Sequence, residues 1–286
     1  MTMAQLDPRV TAFRADLAAA HLEGMVEAAR FVEGRATISV AAVAALRAKP
    51  DAQASRETEL LFGEGFTVYE EKNGWAWGQS SHDSYVGYVR ADALSVPTAS
   101  PTHRVASLGT PLLPAPDVKR AALALLPMNA KLRVVGEEGR YSRVEGGHFV
   151  YAANTASVNA AETDWVSVAE RFLGVPYLWG GKTYFGCDCS GLIQTALEQG
   201  GIAAPRDTDM MEAALGTAMV PEEALSQVRR GDLVFWKGHI GVMTDAENLL
   251  HANAFHMQVA MEPLRDAVAR IAATGSALRV IKRLKA

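Results

Sequence analysis

Cysteine is almost absent: of 286 residues only Cys187 and Cys189 carry thiols. With one residue between them they are poorly placed for the geometry of an internal disulfide, so disulfides do not hold this fold. Long apolar runs are also missing. No stretch approaches the roughly 20 residues that a spanning helix needs, and the opening MTMAQLDPRV offers neither a basic n-region nor an apolar h-region. A cytoplasmic protein with no membrane partner is expected. Grouped positive charge is the third lack: the formal net charge is -4 and the pI about 6.0, and the basic pairs Lys119-Arg120 and Lys282-Arg283 are short and scattered. Phosphate-backbone binding needs clustered Lys and Arg, so no nucleic-acid partner is expected.

What is present is apolar content, 49% of the residues, enough to bury a core in two or three compact units. Asp7-Pro8 reads as a helix start, and Val10, Phe13, Leu17, Met25 and Ala29 follow at helical spacing. Residues 1–34 are therefore expected to form a helical segment ending near Gly34. From Ala36 the texture changes to brief β-type runs, Thr37–Val40, Leu60–Phe62, Phe66–Tyr69, Trp75–Gln79 and Val86–Val89, cut by Gly63, Gly65, Asn73-Gly74 and Asp83-Ser84. A small barrel over 35–97 is expected. After Pro97 and Pro101 comes a second stretch of the same kind over 98–157, with strands at Leu132–Val135, Tyr141–Val144 and His148–Ala152, read as a degenerate second barrel. Residues 158–286 mix helices (Trp165–Leu173, Ser190–Gln199, Pro263–Ala272) with strands at Leu233–Trp236, His239–Thr244, Leu249–His251 and Leu278–Ile281.

Within that last region, Tyr177-Leu-Trp-Gly-Gly-Lys-Thr-Tyr-Phe-Gly-Cys-Asp-Cys-Ser-Gly-Leu192 places Cys189 at the mouth of a helix after a glycine-rich loop. The positive dipole end of a helix and a nearby imidazolium both favour thiolate, so a lowered thiol pKa is expected. His239 opens a strand after Arg230-Gly-Asp-Leu-Val-Phe-Trp236, His251 ends the next, and Asp245 lies midway between them. A hairpin centred on Asp245 would set the two imidazoles opposite one another on one face. Nucleophile, base and orienting group then come from separate elements, the pattern of a catalytic triad. Cys187, Cys189, His239 and His251 would alternatively make a Cys2His2 zinc site, but an i, i+2 cysteine pair falls outside the usual chelating gap. No metal or other cofactor is expected. Cys187, His21, His82, His103, His148 and His256 are assigned no role beyond packing or solvation.

Asp-Cys-Ser-Gly, Gly-Asp-Leu-Val-Phe, His-Ile-Gly-Val and Leu-His-Ala, in that order, resemble the signature of the NlpC/P60 family of papain-like cell-wall peptidases, over roughly Asp164 to the C-terminus. The preceding stretches look like the paired bacterial SH3-type barrels of one subgroup, the γ-D-glutamyl-L-diamino acid endopeptidases. The resemblance implies an α+β architecture: a papain-like catalytic domain behind two small SH3-type β-barrels and the N-terminal helical segment. It implies a murein stem peptide as partner, with a free L-alanine at its N-terminus, cut at the γ-D-glutamyl bond in the recycling of wall peptides. It further implies Cys189 as nucleophile, His239 as base, His251 as orienting residue and Tyr177 as an oxyanion donor beside the Cys189 N–H. Asp188, Ser190 and Thr208 would bind the peptide's N-terminus, and Glu64 and Tyr85 of the first barrel would cap the site. An N-acetylmuramoyl-L-alanine amidase or thiol acyltransferase on the same frame, and a murein-binding module with a vestigial peptidase domain, are the alternatives. Neither the choice between diaminopimelate and lysine nor the oligomeric state is written in these motifs.

Overall fold

Short runs rich in β-branched and aromatic residues, punctuated by Gly and Asn, favour strands joined by tight turns. In the computed structural model, which describes residues 6–97, 99–219 and 225–284, such runs make up most of the regular secondary structure. Two compact units divide it, Met1–Val158 and Asn159–Ala286. No helix among the described residues is long and apolar enough to cross a membrane.

In the N-terminal unit one seven-stranded sheet takes the order Leu94–Ser95, Arg35–Ser39, Gly65–Lys72, Trp75–Ser80, Val86–Arg90, Val43–Arg47, Arg56–Leu61. Asn73-Gly74 closes a two-residue hairpin between Lys72 and Trp75. Their φ values of 52° and 75° are the left-handed ones that a type I′ turn demands, which is why Asn-Gly stands there. Leu46, Leu60, Phe66, Val68 and Val89 fill the core. The run AAVAALR does not announce a strand, yet Val43–Arg47 is one: burial of Leu46 at 0% exposure outweighs the weak β-preference of alanine. Beyond it lie smaller antiparallel sheets. His103–Val105 pairs with Lys131–Leu132 and Thr155–Ser157, Gly109–Leu112 with Ala124–Pro127, and Val134–Glu138, Tyr141–Val144 and His148–Tyr151 form a meander.

The expected N-terminal helix over residues 1–34 is not formed by the described part of that segment. Phe13–Arg14 and Leu17–Ala19 make an antiparallel ribbon, Phe31–Val32 joins Leu17–Ala19 in parallel, and only the single turn Ala20–Leu22 is 3-10 helical. Asp7 spends its side chain on the N–H of Arg9 at 2.9 Å, closing a turn where a helix cap was expected. Leu17, Ala18 and Ala19 are each 0% exposed, so both faces of the strand are covered. Leu17, Ala19 and Leu22 share a cluster with Trp77 of the barrel sheet. Tertiary burial of this kind overrides helix propensity.

The C-terminal unit carries helices α1 (Trp165–Glu170), α2 (Cys189–Gln199), α3 (Thr208–Ala214) and α4 (Leu264–Ala272). Its sheet strands are β1 (Thr217–Ala218), β2 (Leu233–Trp236), β3 (His239–Met243), β4 (Asn248–Asn253), β5 (Gln258–Pro263) and β6 (Leu278–Arg283). They lie in the order β1-β6-β2-β3-β4-β5, antiparallel throughout. Strand β2 reads Leu-Val-Phe-Trp with every residue at 0% exposure, the continuous apolar run of a strand buried on both faces. Helix α2 packs on α1 and on β3, which brings its first turn to the beginning of that strand.

Candidate active site

Asp188 starts α2. Its Oδ1 accepts the N–H of Gly191 at 2.7 Å and its Oδ2 that of Gly180 at 2.8 Å, so one carboxylate caps the helix and ties it to the glycine-rich loop. A Cβ on Gly191 would stand 2.1 Å from the carbonyl oxygen of Gly181, so only glycine lets the first turn seat against that loop. Cys189 follows as the first helical residue, 7% exposed. Its Sγ lies 3.8 Å from Oγ1 of Thr208, the first residue of α3, and takes the backbone N–H of Ile240, the neighbour of His239.

The expected lowering of the thiol pKa at a helix N-terminus is reversed. Burial, then the Asp188 carboxylate, push Cys189 up to about 11, against the opposing pull of the Ile240 N–H, Thr208 and Arg206. Low-dielectric surroundings penalise the thiolate more than the helix end favours it. Burial holds His239 down to about 3, helped by His251 and Arg270, and burial with the nearby Arg270 holds His251 down to about 3. Burial thus favours the neutral form of the thiol and of both imidazoles.

The two histidines sit on adjacent strands, and the β3–β4 register, Val242 with Leu250 and Met243 with Leu249, continues to set Gly241 opposite His251. The imidazoles are thus diagonal neighbours, not the directly opposed pair expected from a hairpin centred on Asp245. A Cβ on Gly241 would fall 3.1 Å from the Cβ of His251, so glycine there leaves room for the histidine to lean across. His239 Nε2 and His251 Nδ1 are 2.9 Å apart, and His251 Nε2 is 2.8 Å from Oε1 of Glu262 on β5. Glu262 in turn pairs with Arg270 of α4.

Asp188 carries more than the cap. Arg206, 1% exposed, donates Nη2 to Asp188 Oδ2 at 2.7 Å and Nη1 to Oδ1 at 3.0 Å, a bidentate buried pair. Ser190 Oγ donates to Asp188 Oδ1 at 3.3 Å and accepts from Arg206 Nη1 at 2.7 Å. A substrate ammonium at Asp188 would share oxygen lone pairs already in five hydrogen bonds.

Residues 174–275 match the NlpC/P60 family and residues 46–94 the bacterial dipeptidyl-peptidase SH3 domain. The chain carries an NlpC/P60 domain. It is a peptidase. It is 27% identical over 241 residues to dipeptidyl-peptidase 6 of Lysinibacillus sphaericus, spanning 76% of this chain and 87% of that one. To the gamma-D-glutamyl-L-lysine dipeptidyl-peptidase of Bacillus subtilis (strain 168) it is 28% identical over 223 residues, 68% of this chain and 72% of that one. The fold matches the crystal structure of an NlpC/P60 family protein from Bacillus cereus ATCC 10987 with a TM-score of 0.74 at 20% identity, covering 87% of this chain and 99% of that one.

The NlpC/P60 domain therefore brings together Cys189, Ser190, Asp188, Thr208 and Arg206 at one end of α2, and His239, His251 and Glu262 across three strands. Tyr177 stands close enough for the charges of Cys189 and Asp188 to raise its phenol pKa, after burial as the main cause. Glu64 and Tyr85 belong to the other unit: Glu64 Oε2 accepts the N–H of Leu61 at 2.8 Å, and Tyr85 packs in the barrel core at 3% exposure. Cys187 is 0% exposed and pairs with Lys182 in a short hairpin. Among the described residues, the two cysteines are not in the His, Cys, Asp and Glu groups whose ligand atoms converge within 4.8 Å. His251, His256 and Glu262 do converge to that extent, but the cation already facing Glu262 is Arg270. Arg206 and Glu262 are the two members of the cluster that sequence reading passed over. Arg206 stands two residues before Thr208 in Pro-Arg-Asp-Thr and reads as turn support, while Glu262 lies on β5, a strand with no alternating signal.

The buried histidines make stability depend on pH. Each takes up its proton near 6.5 when unfolded but only near 3 when folded, so between those values unfolding binds protons. The stability they contribute is whole above about pH 6.5 and is lost as pH falls toward 3, at up to about 1.4 kcal/mol per pH unit for each. Urea unfolding at pH 7 and pH 5 is expected to show a loss of roughly 4 kcal/mol from the pair. The His251→Gln variant is expected to lose about half as much over the same interval; an equal loss in both proteins would place the effect elsewhere.

Proposed function

We propose that this chain is a thiol peptidase that hydrolyses the γ-D-glutamyl–diamino acid bond of murein stem peptides bearing a free N-terminal L-alanine, and that it serves recycling of wall peptides. The observation that carries the reading is the line His239–His251–Glu262 beside the helix that begins with Cys189. The relatives named gamma-D-glutamyl-L-lysine dipeptidyl-peptidase support the substrate class. Residues 98–157 are read as a second SH3-type barrel.

In this reading His239 takes the thiol proton as Cys189 Sγ bonds to the γ-carbonyl carbon. The oxyanion is held by the Cys189 N–H, which as the first helical amide has no acceptor inside α2, and by the Tyr177 hydroxyl; each such donor is worth about 3 kcal/mol in comparable sites. The C–N bond then breaks, the protonated His239 returns the proton to the leaving amine, and water cleaves the thioester with His239 again as base. Ser190 and Thr208 lie within reach of the nucleophile and bind the peptide beside it. Glu64 and Tyr85 draw no support from the geometry inside their own unit, and the reading stands on the NlpC/P60 domain.

The occupied state of Asp188 is the one observation that favours the amidase alternative, because an N-acylated substrate brings no ammonium to that carboxylate. Incubation with free L-alanyl-γ-D-glutamyl-diaminopimelate, its lysine counterpart, the N-acetylated form and a muramoyl-linked peptide, followed by mass spectrometry, separates the two. Release of L-alanyl-γ-D-glutamate from free peptides alone is the expected result. Cleavage of the N-acetylated form at the same rate would overturn the free-terminus requirement, and release of the intact peptide from a muramoyl donor would establish the amidase.

A further inference from the structure

We infer that Glu262, held by Arg270, is a positioning residue that sets the tautomer of both histidines and so determines which nitrogen of His239 acts as the base. The inference rests on Cys189 and His239 being nucleophile and base.

The argument is one of hydrogen-bond polarity. An ionised carboxylate only accepts, and a neutral imidazole has one donor and one acceptor nitrogen. His251 is 1% exposed, and its Nε2 is 2.8 Å from Glu262 Oε1, so Nε2 carries the hydrogen. Its Nδ1 is then a lone pair. That lone pair faces His239 Nε2 at 2.9 Å, so His239 Nε2 carries the hydrogen as well. The nitrogen of His239 left without a hydrogen is Nδ1, and it is the one free to take a thiol proton. Had a hydroxyl or an amide donor occupied the place of Glu262, both rings could reverse, and His239 would present an N–H to the thiol in place of a lone pair.

The fold supplies the geometry for this relay. Leu249 pairs with Glu262 and His251 with Ala260 in the β4–β5 ladder, so Glu262 is the diagonal neighbour of His251 on one face of the sheet, within reach of a long side chain. Glu262 is 13% exposed as a side chain, and α4, which begins two residues after it, returns Arg270 to the same carboxylate oxygen. When His239 becomes an imidazolium during attack, the carboxylate at the far end of the relay balances part of the new charge through His251.

The test uses the full-length chain with 15N-labelled histidine and the variants Glu262→Ala, Glu262→Gln and Cys189→Ala. Long-range 1H–15N spectra at pH 7 are expected to show His239 and His251 both protonated on Nε2 in the unaltered protein, and mixed or reversed tautomers in Glu262→Ala. For turnover of the free tripeptide, Glu262→Ala is expected to lower kcat about 10- to 100-fold with KM changed less than about twofold. Glu262→Gln, whose amide oxygen can still accept, should recover part of the loss, and it replaces Glu262→Ala if that variant does not fold. An Nδ1-protonated His251 in the unaltered protein, or a Glu262→Ala variant with unchanged kcat and unchanged tautomers, would overturn the inference. Cys189→Ala separates the two levels: activity surviving in it removes the assignment of the site itself, whereas loss there with none in Glu262→Ala removes the relay alone.

Discussion

Cys189→Ala is expected to lower kcat by roughly four orders of magnitude or more while shifting unfolding free energy by less than about 1 kcal/mol. Both halves of that expectation come from the same geometry. The thiol stands at the first turn of α2 with Ile240 N–H, next in the chain to His239, and Thr208 as partners. Its removal deletes one sulfur from a site whose helix is anchored by Asp188, Gly191 and Arg206, none of which depends on it. Single-turnover kinetics and urea unfolding on the same preparation check the two halves. A variant that kept a tenth of the activity would move the nucleophile elsewhere. The high pKa of the thiol adds a directional point: the thiolate is not stored in the resting enzyme, so inactivation by a small alkylating reagent should accelerate as pH rises toward 11.

The second large effect is on stability. Arg206→Leu is expected to cost about 3–5 kcal/mol, because it leaves the Asp188 carboxylate buried without its bidentate partner. Arg206 is enclosed at 1% exposure and Asp188 at 6%, so solvent cannot take over the lost interaction. The double variant Asp188→Asn with Arg206→Leu should be less damaging than the sum of the two single changes, since removing both charges removes the uncompensated one. Denaturant unfolding of the four proteins gives the coupling directly. A cost below about 1 kcal/mol for Arg206→Leu would mean that the pair is peripheral to the stability of the domain. The single change should depress activity too, since the same carboxylate caps the helix carrying Cys189 and holds Gly180 of the adjoining loop.

The chemistry at the heart of the site was legible from local spacing. Asp-Cys-Ser-Gly places a cap, a thiol and a glycine within one helical turn, and a turn of helix is a property of consecutive residues. His239 and His251 were legible because each sits at the edge of a strongly apolar strand. Their mutual placement was less so. Which residue faces which across a ladder depends on register, and the register here sets Gly241, not His239, opposite His251. The direction of the thiol pKa was misread for a related reason: helix position is local, but desolvation depends on everything packed around the sulfur.

The N-terminal segment shows the same boundary from the side of the fold. Val10, Phe13 and Leu17 keep helical spacing, but burial of Leu17–Ala19 on both faces, with Leu17 and Ala19 in a cluster shared with Trp77 about sixty residues later in the chain, made Leu17–Ala19 a strand paired with Phe13–Arg14. By itself the sequence determined the units' character, the place of Cys189 at a helix start, the two imidazoles on neighbouring strands and the absence of disulfides, since composition, turn chemistry and short motifs are carried by neighbouring residues. Only the tertiary structure decided that Arg206 completes Asp188, that Glu262 completes His251, and that burial raises the thiol pKa and lowers those of the imidazoles. Those outcomes depend on which distant side chains share one dry volume, and hydrogen-bond polarity and desolvation are properties of that volume.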